Sequence, residues 1–207
     1  MKRLFLLLLV PLLLVSCART HRFELGEDGA YIDTRTDVRY TLLESCFEPA
    51  ARGEEWGKYE NKENDFVRTF YTVGTLDPAL FIADDARCLY YAGSEALHPE
   101  SYTVSAALFC LEDATSFERK RFTAAEHAAV IDEIRTLWFT GDGDAEKPLF
   151  EAPVLTRRVK LMFEEYAGIY YCFTFAVYES GEAYFYEIAE RRTVAVPPTL
   201  ADILQNE

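Results

Sequence analysis

The chain has 207 residues and carries a formal net charge of −14, with 35 acidic against 21 lysine and arginine side chains. Half of its residues are hydrophobic and 14% are aromatic, which excludes intrinsic disorder for most of its length. The strong negative charge repels phosphate backbones, so the composition argues against nucleic-acid binding.

The N-terminus has the pattern of a secretory signal. Lys2 and Arg3 precede an apolar run from Leu4 to Val15, which is shorter than the ~20 residues that a membrane-spanning helix needs. A positive start, a short apolar core and a small residue at the cut site predict a signal peptide over residues 1–16.

The signal ends on Leu14-Val15-Ser16-Cys17, and this ending resembles the lipobox of bacterial lipoproteins. The resemblance covers residues 1–17 alone. It implies cleavage between Ser16 and Cys17, and lipid chains on the thiol and the freed amine of Cys17. The membrane is then a partner through this anchor. With Ala18 after the cysteine, the resemblance implies an extracytoplasmic protein on the cell membrane or the outer membrane.

Residues 17–29 are polar with two glycines, and we expect a flexible tether there, followed by a single α+β domain over residues 30–207. Alternating apolar residues, bounded by glycine and proline, predict strands in the first half of the domain. These strands cover residues 30–33, 38–43, 66–73, 81–83, 88–92 and 102–111. Residues 47–65 contain Pro49, Gly53 and Gly57 and many charges, so an irregular loop is expected.

One amphipathic helix is predicted at about residues 123–139. Thr123 and Glu126 have the spacing of a capping box, in which each side chain bonds backbone amides of the first turn. An apolar stripe follows at helical spacing, and Gly141 ends it.

The last third of the chain is predicted to be an antiparallel meander with strands at 158–164, 170–178, 184–188 and 193–196. The second of these is apolar on both faces, which is typical of a central strand. Thr199 and Asp202 are expected to cap a short final helix. The predicted fold class is therefore α+β, mainly an antiparallel β-sheet with the main helix packed on it and a short C-terminal helix.

Four cysteines remain after Cys17, and we expect buried thiols, with room for one disulfide pair. They are Cys46, Cys88, Cys110 and Cys172. The sequence contains no Cys-x-x-Cys spacing that would indicate a zinc or thioredoxin-type site.

Catalytic motifs are absent from the sequence. His21 falls in the expected tether, His98 precedes a proline without a motif around it, and His127 fits the edge of the helical stripe. The acidic loop at residues 142–146 lacks the glycine and the glutamate that complete a calcium loop. No catalytic residue, cofactor or metal is predicted.

Tyrosines concentrate in the C-terminal strands, and a large ring with a polar tip suits a half-exposed recognition face. The candidate binding face consists of Tyr170, Tyr178, Tyr184 and Tyr186. Ordinary strand propensity and core filling explain the same enrichment.

These features favour a non-catalytic binding domain at the cell envelope, with an envelope protein as the expected partner. Two alternatives remain open from the sequence. One is a solute-binding lipoprotein, and the other is a carboxylate-dependent envelope hydrolase.

Overall fold

The computed structural model describes residues 20–44, 46–111, 117–148 and 151–206. The predicted lipobox, residues 14–17, lies outside these ranges. Within them the chain forms two β-sheets and two α-helices, so a β-rich α+β protein is confirmed. The expectation of one antiparallel sheet is wrong, because the first sheet closes into a barrel of its own.

The N-terminal barrel has seven strands in the order β1-β2-β3-β8-β7-β6-β5. It closes through a parallel pair, in which His21 of β1 lies opposite Gly57 of β5. Its centre is filled mainly by aromatic rings, including Phe23, Tyr31 and Phe70. The strands are β1 (His21–Leu25), β2 (Tyr31–Asp33), β3 (Arg39–Leu42), β5 (Arg52–Asn61), β6 (Phe66–Val73), β7 (Phe81–Asp84) and β8 (Leu89–Tyr91).

The second sheet has the order β10-β9-β11-β12-β13-β14, and β4 pairs with the start of β12. Because β12 has neighbours on both sides, its prediction as a central strand is confirmed. The strands are β4 (Phe47–Pro49), β9 (Val104–Cys110), β10 (Glu118–Thr123), β11 (Leu155–Phe163), β12 (Ile169–Val177), β13 (Ala183–Glu187) and β14 (Arg192–Val196).

One hydrophobic core joins the two sheets. Helix α1 (Ala124–Thr140) buries Ile131, Ile134 and Trp138 against the second sheet. Phe81 and Leu89 of the barrel belong to the same core, as does the C-terminal helix α2 (Pro198–Gln205). The barrel therefore packs on the helix-bearing side of the second sheet.

The predicted tether is wrong over residues 21–25, which form β1 with Phe23 buried in the barrel. The predicted loop at 47–65 is also wrong, since β4 and β5 occupy most of it. The sequence of β5 shows no apolar alternation because its one buried residue is Gly57. A Cβ there would lie 2.5 Å from the ring of Phe23, so β1 can pair closely only with glycine.

The four cysteines in the described residues are free thiols, without the disulfide pair that the sequence left open. Three of them, Cys46, Cys110 and Cys172, are buried. The expected cap of the last helix is wrong, because Pro197 occupies the N-cap position and Pro198 starts the helix. Proline is favoured at this first position because a backbone N–H there has no partner within the helix, so the helix loses no hydrogen bond to proline.

The main helix begins as predicted, with Thr123 at the N-cap, but its hydroxyl bonds no backbone amide. Instead Thr123 Oγ1 donates a hydrogen bond to Glu126 Oε2 at 3.2 Å, on the exposed side of the first turn. We therefore expect Thr123→Ala to change the free energy of unfolding by less than about 0.5 kcal/mol, as at other surface sites. Denaturant unfolding measures this change. A loss of about 1 kcal/mol would show that the hydroxyl caps the backbone after all.

Candidate functional site

The structure brings the four predicted tyrosines to one face of the second sheet. In the β12–β13 register, Ala176 lies opposite Tyr184 and Thr174 opposite Tyr186, so both tyrosines share the face of Tyr170. This is the face away from α1. Tyr178 follows the same alternation at the end of β12.

This tyrosine face is largely covered. Tyr178 and Tyr184 are only 4% and 7% exposed, and their rings pack edge to face at 5.8 Å. The Lys147 ammonium lies 3.6 Å from the centroid of the Tyr186 ring. Tyr170 and Tyr186 keep partial exposure. The tyrosines are thus brought together, but two of the four are packed side chains instead of an open platform.

An ion-pair network lies on the same face. Arg158 bridges Glu48 and Glu187 at 3.1 and 3.2 Å, and the Lys160 ammonium lies 2.8 Å from Glu48. Burial alone would raise the pKa of Glu48, but the hydrogen bond and charge of Lys160, with the charge of Arg158, outweigh it. The pKa of Glu48 therefore lies below its usual value. The network holds β4 to β11, and its charges already satisfy one another.

A more open site lies where the barrel, α1 and the second sheet meet. It is a cleft of about 320 Å³, comparable to small-ligand pockets. We call it the junction cleft. Its wall combines carboxylates, an arginine and aromatic rings, and its residues come from five separate segments. They are Glu44, Phe47, Leu97, Pro99, Glu100, Trp138, Phe139, Tyr171, Glu190 and Arg192.

A chain of hydrogen bonds fixes the floor of the junction cleft. The Trp138 indole N–H donates to Tyr171 Oη at 3.2 Å, and the Tyr171 hydroxyl donates to Glu190 Oε1 at 2.5 Å. Burial and the bond to Glu190 raise the pKa of Tyr171, so its proton stays in place at neutral pH. The Glu190 carboxylate is thereby positioned by the Tyr171 hydroxyl, which Trp138 orients in turn.

A second carboxylate approaches Glu190 in the same cleft. Side-chain atoms of Glu44, Cys46 and Glu190 all lie within 4.8 Å of one another. Burial and the neighbouring carboxylates, Glu190 foremost, raise the pKa of Cys46. Its thiol therefore remains protonated at neutral pH, and a protonated thiol is a poor metal ligand and a poor nucleophile. The cluster offers two carboxylates as its reactive groups.

The electrostatics of the cleft favour a positive guest. Glu44, Glu100 and Glu190 line it together with a single cation, Arg192. Arg192 donates to the carbonyls of Trp138 and Gly141 at 2.6 and 2.7 Å, at the C-terminal end of α1. Much of its charge thus faces the negative end of the helix dipole. The carboxylates dominate the field in the open part of the cleft.

The histidines lie elsewhere. His21, expected in the tether, has its Nδ1 2.5 Å from the buried carboxylate of Asp33, and its ring stacks on Trp56 at 4.1 Å. Burial alone would raise the pKa of Asp33, but hydrogen bonds from the Arg35 amide, the Thr36 hydroxyl and His21 lower it. This contact ties β1 to the end of β2.

Sequence reasoning missed the junction cleft. Tyr171 neighbours a predicted site residue, but strand alternation puts it on the opposite face of the sheet. Glu44 and Glu190 lie outside the strands and helices and belong to no motif, and only tertiary packing brings them together. The adjacent pair Tyr170-Tyr171 was the one available signal.

Comparison with protein-family models, curated proteins and solved structures found no match to this chain. In the described ranges, neither helix has the length and apolar character required to cross a bilayer.

Proposed function

We propose that this protein is a lipid-anchored binding domain of the cell envelope, and that its junction cleft receives a cationic side chain of an envelope protein. The observation that carries the proposal is the cleft itself, an open site lined by two neighbouring carboxylates and by aromatic rings. The lipobox-like ending at Cys17 supports the proposed location at the cell envelope.

The arrangement matches the chemistry of an ammonium or guanidinium group. Glu190 is positioned by Tyr171, so it need not be ordered when a cation arrives, which reduces the entropic cost of binding. The half-buried Phe139 ring adds an apolar surface along which the stem of a lysine can pack. The net charge of −14 adds long-range attraction to a basic partner.

Tetralysine serves as the cationic probe, and tryptophan fluorescence reports its binding. The protein contains only two tryptophans, and one of them borders the cleft. In a Trp56→Phe background, Trp138 is the sole indole and reports on the Tyr171–Glu190 end of the cleft. We expect tetralysine to change its fluorescence saturably and tetraglutamate to leave it unchanged. The double variant E44Q/E190Q should weaken tetralysine binding at least tenfold, since it removes both carboxylates.

The matched control is E60Q/E63Q, which also removes two negative charges, but from the exposed β5–β6 hairpin. This control should bind tetralysine as the parent protein does. Equal weakening in both double variants would show that overall charge attracts the peptide, and it would contradict the assignment of the cleft.

A carboxylate-dependent hydrolase is the second candidate, favoured by the approach of Glu44 and Glu190 to within 4.8 Å. Retaining glycosidases place their two carboxyl groups about 5–5.5 Å apart. Release of reducing ends from envelope glycan by the wild-type protein, lost in E190Q, would favour this candidate over binding alone.

A further inference from the structure

We infer that one end of the barrel rests on the headgroup layer of the membrane, so that the lipid anchor fixes the orientation of the domain as well as its location. This inference rests on the proposed lipid anchor at Cys17. It adds to that proposal the surface of the barrel that contacts the membrane.

The inference depends on how little chain separates the anchor from the fold. Strand β1 begins at His21, and Phe23 is already buried inside the barrel. Four residue-to-residue steps join Cys17 to His21, and a fully extended chain covers at most about 14 Å in four steps. The start of β1 therefore stays within about 14 Å of Cys17, close to the bilayer surface.

The start of β1 is firmly held and cannot peel away to lengthen the connection cheaply. His21 contacts the buried carboxylate of Asp33 at 2.5 Å and stacks on Trp56. The Thr34 amide donates to the Arg22 carbonyl at 2.9 Å. Extending the tether would break these contacts and remove Phe23 from the barrel centre.

The strand directions identify the surface that faces the lipid. Strand β2 runs antiparallel to β1, so the loop at residues 34–38 lies at the end of the barrel where β1 starts. We call this loop and His21 the anchor end. The exposed side chains of Arg22 and Arg35 lie there, with Asp37 in the same loop and Glu54 and Glu55 at the adjacent start of β5. Arginines at this position suit phospholipid phosphates.

The hairpin at residues 62–65 marks the opposite end on the same side of the barrel. Strand β5 runs parallel to β1 and continues into this hairpin, with His21 opposite Gly57. Four residues of strand from Gly57 to Asn61 rise about 13 Å, and the turn extends farther. Arg35 and Asn64 are therefore a near and a far position relative to the anchor.

Depth-dependent fluorescence quenching tests the inference on the full-length, processed protein. In a Cys88→Ser background the three remaining described thiols are buried, so a maleimide dye reacts selectively with an added cysteine at R35C or N64C. The proteins are reconstituted into vesicles of phosphatidylethanolamine and phosphatidylglycerol carrying a headgroup spin label. We expect at least threefold stronger quenching at position 35 than at position 64.

Inserting twelve Gly-Ser residues between Ala18 and Arg19 should abolish this difference while the protein stays on the vesicles. Equal quenching at both positions with the native tether would overturn the inference and leave the lipid anchor intact. A protein that does not co-float with vesicles would overturn the anchor and this orientation together.

Discussion

Replacing Trp138 with alanine is expected to lower the free energy of unfolding by about 3–5 kcal/mol, as truncation of a fully buried tryptophan does elsewhere. Trp138 has no exposed surface, and its ring stacks on Phe173 at 4.3 Å. It also donates the hydrogen bond that orients Tyr171. The substitution therefore opens a cavity under the second sheet and removes the support of the junction cleft.

Urea unfolding of W138A measures the loss, and its neighbour on α1 supplies the control. Phe139 is partly exposed in the cleft, so F139A should cost roughly half as much or less. If both substitutions cost the same, Trp138 is not the centre of the helix–sheet contact.

Replacing Glu48 with glutamine should cost about 3 kcal/mol at neutral pH, because it removes the half-buried negative partner of a buried ammonium. Lys160 is 3% exposed and lies 2.8 Å from Glu48. Its ammonium then loses the ion pair with Glu48 while it remains at a buried position. Adding K160M to E48Q should recover part of the loss, and E63Q on the exposed hairpin should change stability by less than about 0.5 kcal/mol.

The same pair predicts a pH dependence. Since the pKa of Glu48 is lower in the folded protein than in the unfolded chain, its contribution is complete above the unfolded value of about 4.3. It is lost as the pH falls through the lowered folded value. Wild-type stability should therefore decline in acid more steeply than that of E48Q. Parallel curves for the two proteins between pH 3 and 7 would contradict this role of Glu48.

Local patterns predicted the elements whose burial is visible along the chain. The helix at 124–140 and the strands of the C-terminal meander match their predicted positions to within a few residues, because their apolar residues repeat with the period of the structure. The strands predicted at 81–83 and 88–92 are confirmed as well, and they pair with Phe81 opposite Tyr91.

The barrel could not be predicted in the same way. Its closing strands β1 and β5 are polar, and the contact between them depends on Gly57 having no side chain to meet Phe23. Closure is a non-local property, since the parallel β1–β5 pair joins residues far apart in the sequence. The junction cleft is non-local for the same reason, since Glu44 and Glu190 are far apart in the sequence and meet only in the folded chain.

The lipid anchor at Cys17 is the central claim, and intact-mass measurement of the protein from native membranes tests it most directly. The account predicts a chain that lacks residues 1–16, begins at Cys17 and carries the added mass of a diacylglyceryl group with or without a further acyl chain. The Cys17→Ser variant should retain its leader and carry no lipid. A wild-type protein without added lipid mass would contradict the anchor.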